Sequence, residues 1–441
     1  MFLASLFSNS TNRGVFLLKL IIFEIKKLWN TIFFRMLLVV LLVFFIAYYV
    51  FVYINTTRVG DVIKPLKEDI QGTEQRLEED RRALESAEGA KATELQSSIE
   101  FEEDWLEKRQ TTLEILEEES WDALLQIETE ETEPRIDTMK YQNETHTYTH
   151  PTLFTLETYV EMSKWMQDKD VTPLLPMSVY FSYITFYDKE VSGDNREASE
   201  YVMNYLKENS NKYSSASIHY LFRLFGLLFS FIGVIFFLFL FGDIVTKEGL
   251  GRHGPIHLLH TQPIGRYKIL TSKFITAIFV SIFILVTAVG FSIIVGSIFD
   301  RFGDWDYPVL IYGEDRTFTL MSMGVFLIKA AGMFMLILLF CYSILFLFSI
   351  LTKRVIFSIG LTLATLFIGL KMSGVLQTSS VTHYIPFQYF SVFEVLTNEL
   401  ALNMANFNIT FTNGMISLSI SSFVLLVVTY VVYSLQTKMG N

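Results

Sequence analysis

Cysteine and charged residues are both scarce in this chain of 441 residues. The single cysteine, Cys341, excludes any intramolecular disulfide, so a domain outside a membrane must be stable without covalent crosslinks. Charged residues make up 18% of the chain, whereas soluble globular proteins carry about a quarter. This deficit, with a hydrophobic content of 51%, excludes an ordinary soluble protein and indicates a polytopic membrane protein.

Recognisable catalytic motifs are missing as well. The chain contains no G-x-x-x-x-G-K-[ST] loop to cradle phosphates, no H-E-x-x-H helix and no G-x-S-x-G turn. His253, His257 and His260 could share one helical face, but Gly254 and Pro255 disturb that helix, so we expect no metal site. The chain is therefore expected to be no enzyme by itself and to hold no cofactor.

Negative charge is concentrated in one block. The net charge of the whole chain is −11, but residues 61–140 alone carry 25 acidic and 10 basic side chains. The rest of the chain is therefore slightly basic. An acidic block argues against a nucleic-acid partner, because phosphate neutralisation requires Lys and Arg.

Six apolar runs are long enough to cross a bilayer. The predicted spans are residues 31–54, 219–242, 271–299, a stretch within 320–351, 355–372 and 413–435. Residues 1–30 mix apolar and basic positions at helical spacing, which predicts an amphipathic helix on an anionic cytoplasmic surface. The alternative is that this segment simply extends the first span.

Basic residues in the short loops orient the spans. The N-terminal segment, the loop 243–273, the pair Lys353 and Arg354, and the tail at Lys438 all fall on one side of a six-span arrangement. Both termini are therefore predicted to be cytoplasmic. The opposite side then holds residues 55–218 and the loops 300–319 and 373–412, and spans three to six lie within 271–436.

Residues 55–218 form a large acidic insertion between the first two spans. Ile70, Leu77 and Leu84 recur at intervals of seven, as do Ile99, Leu106 and Leu113, and Gly89 lies between the two runs. This spacing predicts an extracellular antiparallel coiled-coil hairpin over 62–88 and 92–128. Asp80, Glu102 and Arg109 interrupt the apolar seam, so solvated single helices or a disordered acidic stretch remain alternatives. The predicted fold class is an all-α polytopic membrane protein with six transmembrane helices and this helical insertion.

Two charged residues in apolar surroundings are candidates for translocation or gating. Lys329 lies within the fourth apolar run, where an ionisable side chain is costly and often functional, although it could also reach the outer headgroups. Glu394 lies in the moderately apolar segment 384–400, which could enter the membrane as a re-entrant hairpin broken at Pro386.

The polar segment 243–270 is the only long loop on the predicted cytoplasmic side. It combines acidic and basic residues with a Thr-x-Pro-Ile-x-Arg stretch at 261–266, and Lys273 opens the third span. With the N-terminal helix, this pattern resembles permeases of the second ABC exporter family (ABC-2-type). The matching residues are Asp243, Glu248, Gly249, Gly251, Leu258, Leu259, Thr261, Pro263, Ile264, Arg266 and Lys273. The resemblance covers 14–54 and 219–436, and the insertion 55–218 departs from the short loop of many members.

The resemblance implies a bacterial plasma-membrane permease that pairs with a second permease, identical or different, and with ABC ATPase subunits that bind ATP and Mg. It also implies that 243–270 holds the segment that couples to the ATPase. Residues expected to carry this coupling are Asp243, Glu248, Arg252, Leu258, Leu259, Pro263 and Arg266. The expected function is ATP-driven export of a peptide, a lipid-like molecule or a drug-like molecule.

Two other functions stay open at this stage. In the first, the insertion senses a ligand or a mechanical state, and ATP-driven motion is relayed across the membrane without transport. In the second, the chain is a membrane scaffold with no ATPase. The acidic insertion would suit cationic cargo, but a charge run is usually just a solvated face.

Overall fold

The structure is a computed structural model that describes residues 13–141, 150–180, 182–189, 204, 210, 212–245, 266–375 and 381–439. The chain divides into two compact units. The membrane unit comprises Met1–Val50, Ala216–Phe302 and Val309–Asn441, and the helical unit comprises Phe51–Ser215 and Gly303–Pro308. The predicted coupling residues from Glu248 to Pro263 lie outside the described residues.

The membrane unit begins with two separate helices. Helix α1 (Arg13–Trp29) ends where Thr31 bonds back to the carbonyl of Leu28, and helix α2 (Ile32–Ile54) begins directly afterwards. The chain is therefore interrupted at Asn30 and Thr31, and α1 and α2 are not one continuous helix. Helix α1 carries Glu24 and three lysines among apolar residues, whereas α2 between its ends is apolar except for Arg35.

The second predicted span is broken. Residues 219–242 were expected to form one straight helix, but the chain forms α8 (Ser217–Leu228) and α9 (Phe231–Phe241), which are bent by 72°. Ser230 caps α9 through its hydroxyl, which accepts from the amide of Ile232. Gly233 permits the bend, because a Cβ atom there would lie 1.7 Å from the carbonyl oxygen of Leu228. Phe229 stacks on Phe334 and fixes the bend against a neighbouring helix.

The bent pair nevertheless bonds to α10 (Arg266–Phe299) near both of its ends. The amide of Ser217 donates to the carbonyl of Arg301, just beyond the end of α10. The carbonyl of Ile244, just beyond α9, accepts from Lys273 in the second turn of α10. The helical rise from Lys273 to Ile293, which accepts from the Ser217 hydroxyl, is about 30 Å. This distance along α10 equals the thickness of a bilayer hydrocarbon core.

The remaining long helices of the membrane unit are α11 (Met323–Thr352), α12 (Val355–Val375) and α15 (Phe411–Met439). Helix α11 is central, since two thirds of its apolar window is buried and it packs against α8, α9, α10, α12 and α15. Among the described residues, five helices are long and apolar enough to cross a membrane, and the bent pair gives a sixth if it is one span. A mostly helical, polytopic membrane protein is therefore confirmed.

Two segments between these helices depart from a purely helical plan. Strands β1 (Pro308–Tyr312) and β2 (Phe318–Ser322) form a small two-stranded sheet that begins in the predicted loop 300–319 and extends three residues beyond it. The predicted re-entrant segment consists of short 3₁₀ turns, Thr382–Tyr384 and Pro386–Phe390, and short helices α13 (Val392–Leu396) and α14 (Glu399–Asn403). It packs closely on α15, because Gly414 leaves no room for a Cβ beside the ring of Tyr389.

The helical unit contains α3 (Val59–Leu84), α4 (Ala90–Glu117), α5 (Trp121–Tyr141), α6 (Leu153–Asp168) and α7 (Phe186–Lys189). Helices α3 and α4 pair antiparallel, as the heptad spacing predicts. Three ion pairs fix the register: Lys67 with Glu117, Arg76 with Glu102, and Arg81 with Glu103. Ile70, Leu77 and Ile99 of the seam are buried. Glu102, which interrupts the seam, is thus neutralised by Arg76 from the facing helix.

The predicted second helix of the hairpin is too long. It was expected over 92–128, but α4 ends at Glu117 and α5 starts a new direction at Trp121. Glu119 adopts a left-handed backbone conformation with φ of 52°, which stops the helix. Leu124 and Leu125 are buried on α5, and they require this change of direction to reach the core. Tertiary burial therefore overrides the helical propensity of the Glu-rich sequence.

Candidate functional site

A buried ion pair lies beside the two described ends, at Val245 and Arg266, that flank residues 246–265. The ammonium group of Lys273 on α10 lies 3.3 Å from Oε1 and 3.4 Å from Oε2 of Glu24 on α1. Each of these two residues exposes 2% of its surface. The same ammonium group donates to the carbonyl of Ile244 at 2.8 Å. One side chain thus connects α1, the end of α9 and the start of α10.

Apolar side chains enclose this site. Ile244 and Val245 are buried directly before the segment 246–265, and Ile269 and Leu270 are buried directly after it. Leu20 is buried on α1, one turn before Glu24. Removal of both charges from water costs several kcal/mol per ion, which mutual attraction and hydrogen bonds must offset. An ion pair in such surroundings fixes the relative position of its two helices more than it stabilises the fold.

A second lysine and an aspartate adjoin the pair. Lys27, one turn after Glu24 on α1, approaches its Oε2 to 3.6 Å and remains partly exposed. Asp243 lines a small cavity with Glu24, Lys27 and Thr31. The first residue of the predicted coupling segment therefore borders the ion pair. We name Glu24, Lys27, Asp243, Ile244 and Lys273 together the anchor site.

The structure describes few of the predicted coupling residues. Asp243 is partly buried beside the anchor site, and the backbone of Arg266 opens α10. Glu248, Arg252, Leu258, Leu259 and Pro263 lie outside the described residues, as do His253, His257 and His260. In the described part of the chain, no group of three His, Cys, Asp or Glu residues could hold a metal ion.

The two candidates for translocation or gating lie near helix ends. Lys329 is in the second turn of α11, partly exposed, with its ammonium group 5.9 Å from the ring centre of Phe411 at the start of α15. Glu394 is exposed on the short helix α13. Neither side chain lies in the middle of a long apolar helix.

The sequence offered a signal for Glu24 that the motif search did not use. Glu24 is the only acidic residue among the first sixty, in a segment that is otherwise apolar or basic. A carboxylate in such a place needs a cationic partner once it is buried. The partner, Lys273, is 249 residues away, so only the fold identifies it.

The helical unit buries an aspartate with a full set of donors. Asp188 accepts from the backbone amides of Thr152 and Thr185 and from the hydroxyls of Thr155 and Thr185. Burial alone would raise the pKa of Asp188, but hydrogen bonds from His150, Thr155 and the two amides lower it to about 2. Because these donors come from the start of α6 and from the residues just before α7, the cluster holds the two helix starts together.

Glu128 of the helical unit has a pKa near neutral pH. Its Oε2 accepts from the hydroxyl of Tyr159 at 2.8 Å. Burial raises the pKa of Glu128 to about 7, against the hydrogen bond of Tyr159 and the charge of Lys212. Burial likewise lowers the pKa of Lys212 to about 8. Both groups therefore change charge within the physiological range.

This shift predicts a pH-dependent stability. A carboxyl whose pKa is raised in the folded state stabilises that state fully when the pH is below the pKa of the unfolded state. This contribution is lost as the pH rises through the pKa of the folded state. The free energy of unfolding of the helical unit should therefore fall by ~2 kcal/mol between about pH 4.5 and pH 7. This magnitude allows for the partial exposure of Glu128. Glu128→Gln should remove this dependence of stability on pH, and at pH 7.5 the variant should be more stable than the wild type.

Thermal unfolding of the full chain in detergent, followed by tryptophan fluorescence, measures this effect. Four of the five tryptophans, Trp105, Trp121, Trp165 and Trp305, belong to the helical unit and report on it. The exposed residue Glu130 supplies the control variant Glu130→Gln, which should keep the wild-type slope. An unchanged slope in Glu128→Gln would show that another group titrates.

Comparison with known proteins found no match to this chain among family models, curated proteins or solved structures.

Proposed function

We propose that the chain is the permease subunit of an ATP-driven exporter of the second ABC exporter type. Two permeases would pair in a bacterial plasma membrane and work with two ATPase subunits, which bind ATP and Mg. The segment 246–265, with its flanks at Asp243 and Arg266, would dock on the ATPase. The proposal rests on the sequence resemblance of this segment and on the structure of its two ends.

The anchor site is the observation that carries the proposal. A coupling segment must transmit the movement of its partner to the spans, and this requires firm attachment at both of its ends. Here Ile244 before the segment and Lys273 after it share a hydrogen bond, and Glu24 joins both to α1. A force on the segment would therefore reach α1, α9 and α10 together.

The topology supports the same function. The bent pair α8–α9 bonds to α10 near both ends, over a distance that matches the bilayer core, so we count it as one broken span. Six spans place both termini and the segment 246–265 on one side. The basic residues of this side support its assignment as the cytoplasmic side. The helical unit, inserted between the first and second spans, would then be extracellular.

The proposed mechanism uses no catalytic residue of this chain. ATP binding closes the ATPase pair and displaces the docked segment. The anchor site transfers that displacement to α1, α9 and α10. The expected substrate class is a peptide, a lipid-like molecule or a drug-like molecule.

Truncation of both Leu258 and Leu259 to alanine should weaken binding of the ATPase. Two leucines buried at an interface contribute about 2–4 kcal/mol, so the affinity should fall by a factor between about thirty and several hundred. Copurification and a titration of the purified ATPase against the full chain in nanodiscs measure the change. Leu351 and Leu361, exposed on α11 and α12, supply a control double alanine variant that should bind normally.

Transport assays separate the proposal from its rivals. Proteoliposomes with both subunits should show ATP-dependent export that the Leu258→Ala/Leu259→Ala variant lacks. ATP-dependent conformational change without any transport would instead favour a signal-transducing subunit. Failure of any ATPase to bind the wild-type chain would favour a scaffold and overturn the proposal.

A further inference from the structure

The membrane unit contains a long apolar groove between α1, α2 and α10. The groove encloses about 580 Å³. Its floor is formed by five buried side chains, Leu28, Phe34, Leu41, Phe45 and Ile284. Its outer wall is formed by Phe279 and Phe283, whose rings are more than half exposed. The groove therefore opens at the side of the bundle and not toward its centre.

The lining is almost wholly apolar. Its single hydroxyl, that of Thr287, donates to the carbonyl of Phe283 one turn earlier. The other lining side chains are hydrocarbon or aromatic, and their one polar group is the indole N–H of Trp29. Water along such a groove would find almost no hydrogen-bond partner, so the occupant must be mainly apolar.

The length of the groove matches one leaflet of a bilayer. The lining residues of α10 run from Phe279 to Phe291, which corresponds to about 18 Å along the helix. Half of a hydrocarbon core is about 15 Å thick. Trp29 lies at one end of the groove, and an exposed tryptophan is typical of the level where headgroups meet hydrocarbon. The groove thus extends from the headgroup level to the middle of the membrane.

Two exposed cations flank the end of the groove at Trp29. Lys26 is adjacent to the lining residue Ile25 on α1, and Arg35 is adjacent to the lining residue Phe34 on α2. On the helical wheel, each lies beside the edge of the lining face. Neither makes an ion pair with any residue that the structure describes. Their charge is complementary to an anionic headgroup.

We infer that this groove binds one anionic phospholipid, with an acyl chain along α10 and the headgroup between Lys26 and Arg35. Leu28 borders both the groove and the anchor site. The bound lipid would therefore support α1 in the position that Glu24 requires. The inference does not depend on the proposed function, since lipid binding can be measured without an ATPase.

Native mass spectrometry of the full chain tests the inference. The detergent-purified chain is stripped of lipid and titrated with phosphatidylglycerol or phosphatidylcholine. The wild type should retain one phosphatidylglycerol at least tenfold more strongly than phosphatidylcholine. Lys26→Gln/Arg35→Gln should abolish that preference, whereas Lys353→Gln/Arg354→Gln, which removes two exposed cations elsewhere, should keep it.

A matched pair of double variants tests the groove itself. Val280→Trp/Thr287→Trp fills it, and Val286→Trp/Ile293→Trp places the same side chains at the same spacing on the same helix, outside the lining. Retention of phosphatidylglycerol should fall at least tenfold in the first variant and should stay at the wild-type level in the second. Equal retention in both would overturn the inference. So would a dimer that only the first variant disrupts with lipid retention unchanged, because a second copy would then occupy the groove.

Discussion

Replacement of Lys273 by methionine should destabilise the membrane unit by about 3–5 kcal/mol. The substitution leaves the carboxylate of Glu24 buried, with only the more distant Lys27 beside it, and it removes the donor to the carbonyl of Ile244. Lys27→Met is the control, because that lysine is partly exposed and lies 3.6 Å from Glu24. Its effect should stay below about 1 kcal/mol.

The double variant Glu24→Leu/Lys273→Met separates stability from coupling. A buried ion pair can often be replaced by apolar residues without loss of stability, so this variant should fold about as well as the wild type. It should still fail in transport, because the charged link between α1 and the ends of the segment is gone. Normal transport by this variant would reduce the anchor site to a structural contact.

Cys341 makes the stability measurement possible without a new label. It is the only cysteine of the chain, and it is buried on α11. A fluorogenic thiol reagent will therefore react only when the membrane unit opens. The melting temperature from this reaction should fall clearly in Lys273→Met and recover in the double variant.

Substitution of Gly233 by alanine should be the most damaging change of a single small residue. The new Cβ would lie 1.7 Å from the carbonyl oxygen of Leu228, and both atoms belong to the backbone or adjoin it. No side-chain rotation can relieve this overlap, so the angle between α8 and α9 must change. We expect the free energy of unfolding to fall by more than about 3 kcal/mol, which is at the upper end of the effects of overpacking.

Gly332→Ala is the matched control for this prediction. Gly332 lies within α11, and a Cβ there would meet nothing within 4 Å. Alanine has the higher helix propensity, so this variant should be neutral or slightly more stable. The thiol reaction of Cys341 again supplies the melting temperatures. Equal values for the two variants would mean that the bend at Gly233 is not a fixed feature of the second span.

Hydrophobic runs and heptad spacing determined a large part of this fold. The runs that became α2, α10, α11, α12 and α15 are long and apolar, and the hydrophobic effect places such helices in a bilayer whatever their neighbours are. The α3–α4 pair also follows from local periodicity, since Ile70 and Leu77 share one face of α3 and are buried, as is Ile99 on α4. These features depend on residues close together in the chain.

Only the tertiary structure decided the features on which function is proposed to depend. Residues 224–242 are almost wholly apolar, and their bend arises from a close approach at Gly233 and from Phe334 on another helix. The break after Glu117 follows from burial of Leu124 and Leu125. The partner of Glu24 is Lys273, which no local pattern connects to it. Contacts between distant residues depend on how helices pack, and helical periodicity carries no information about that packing.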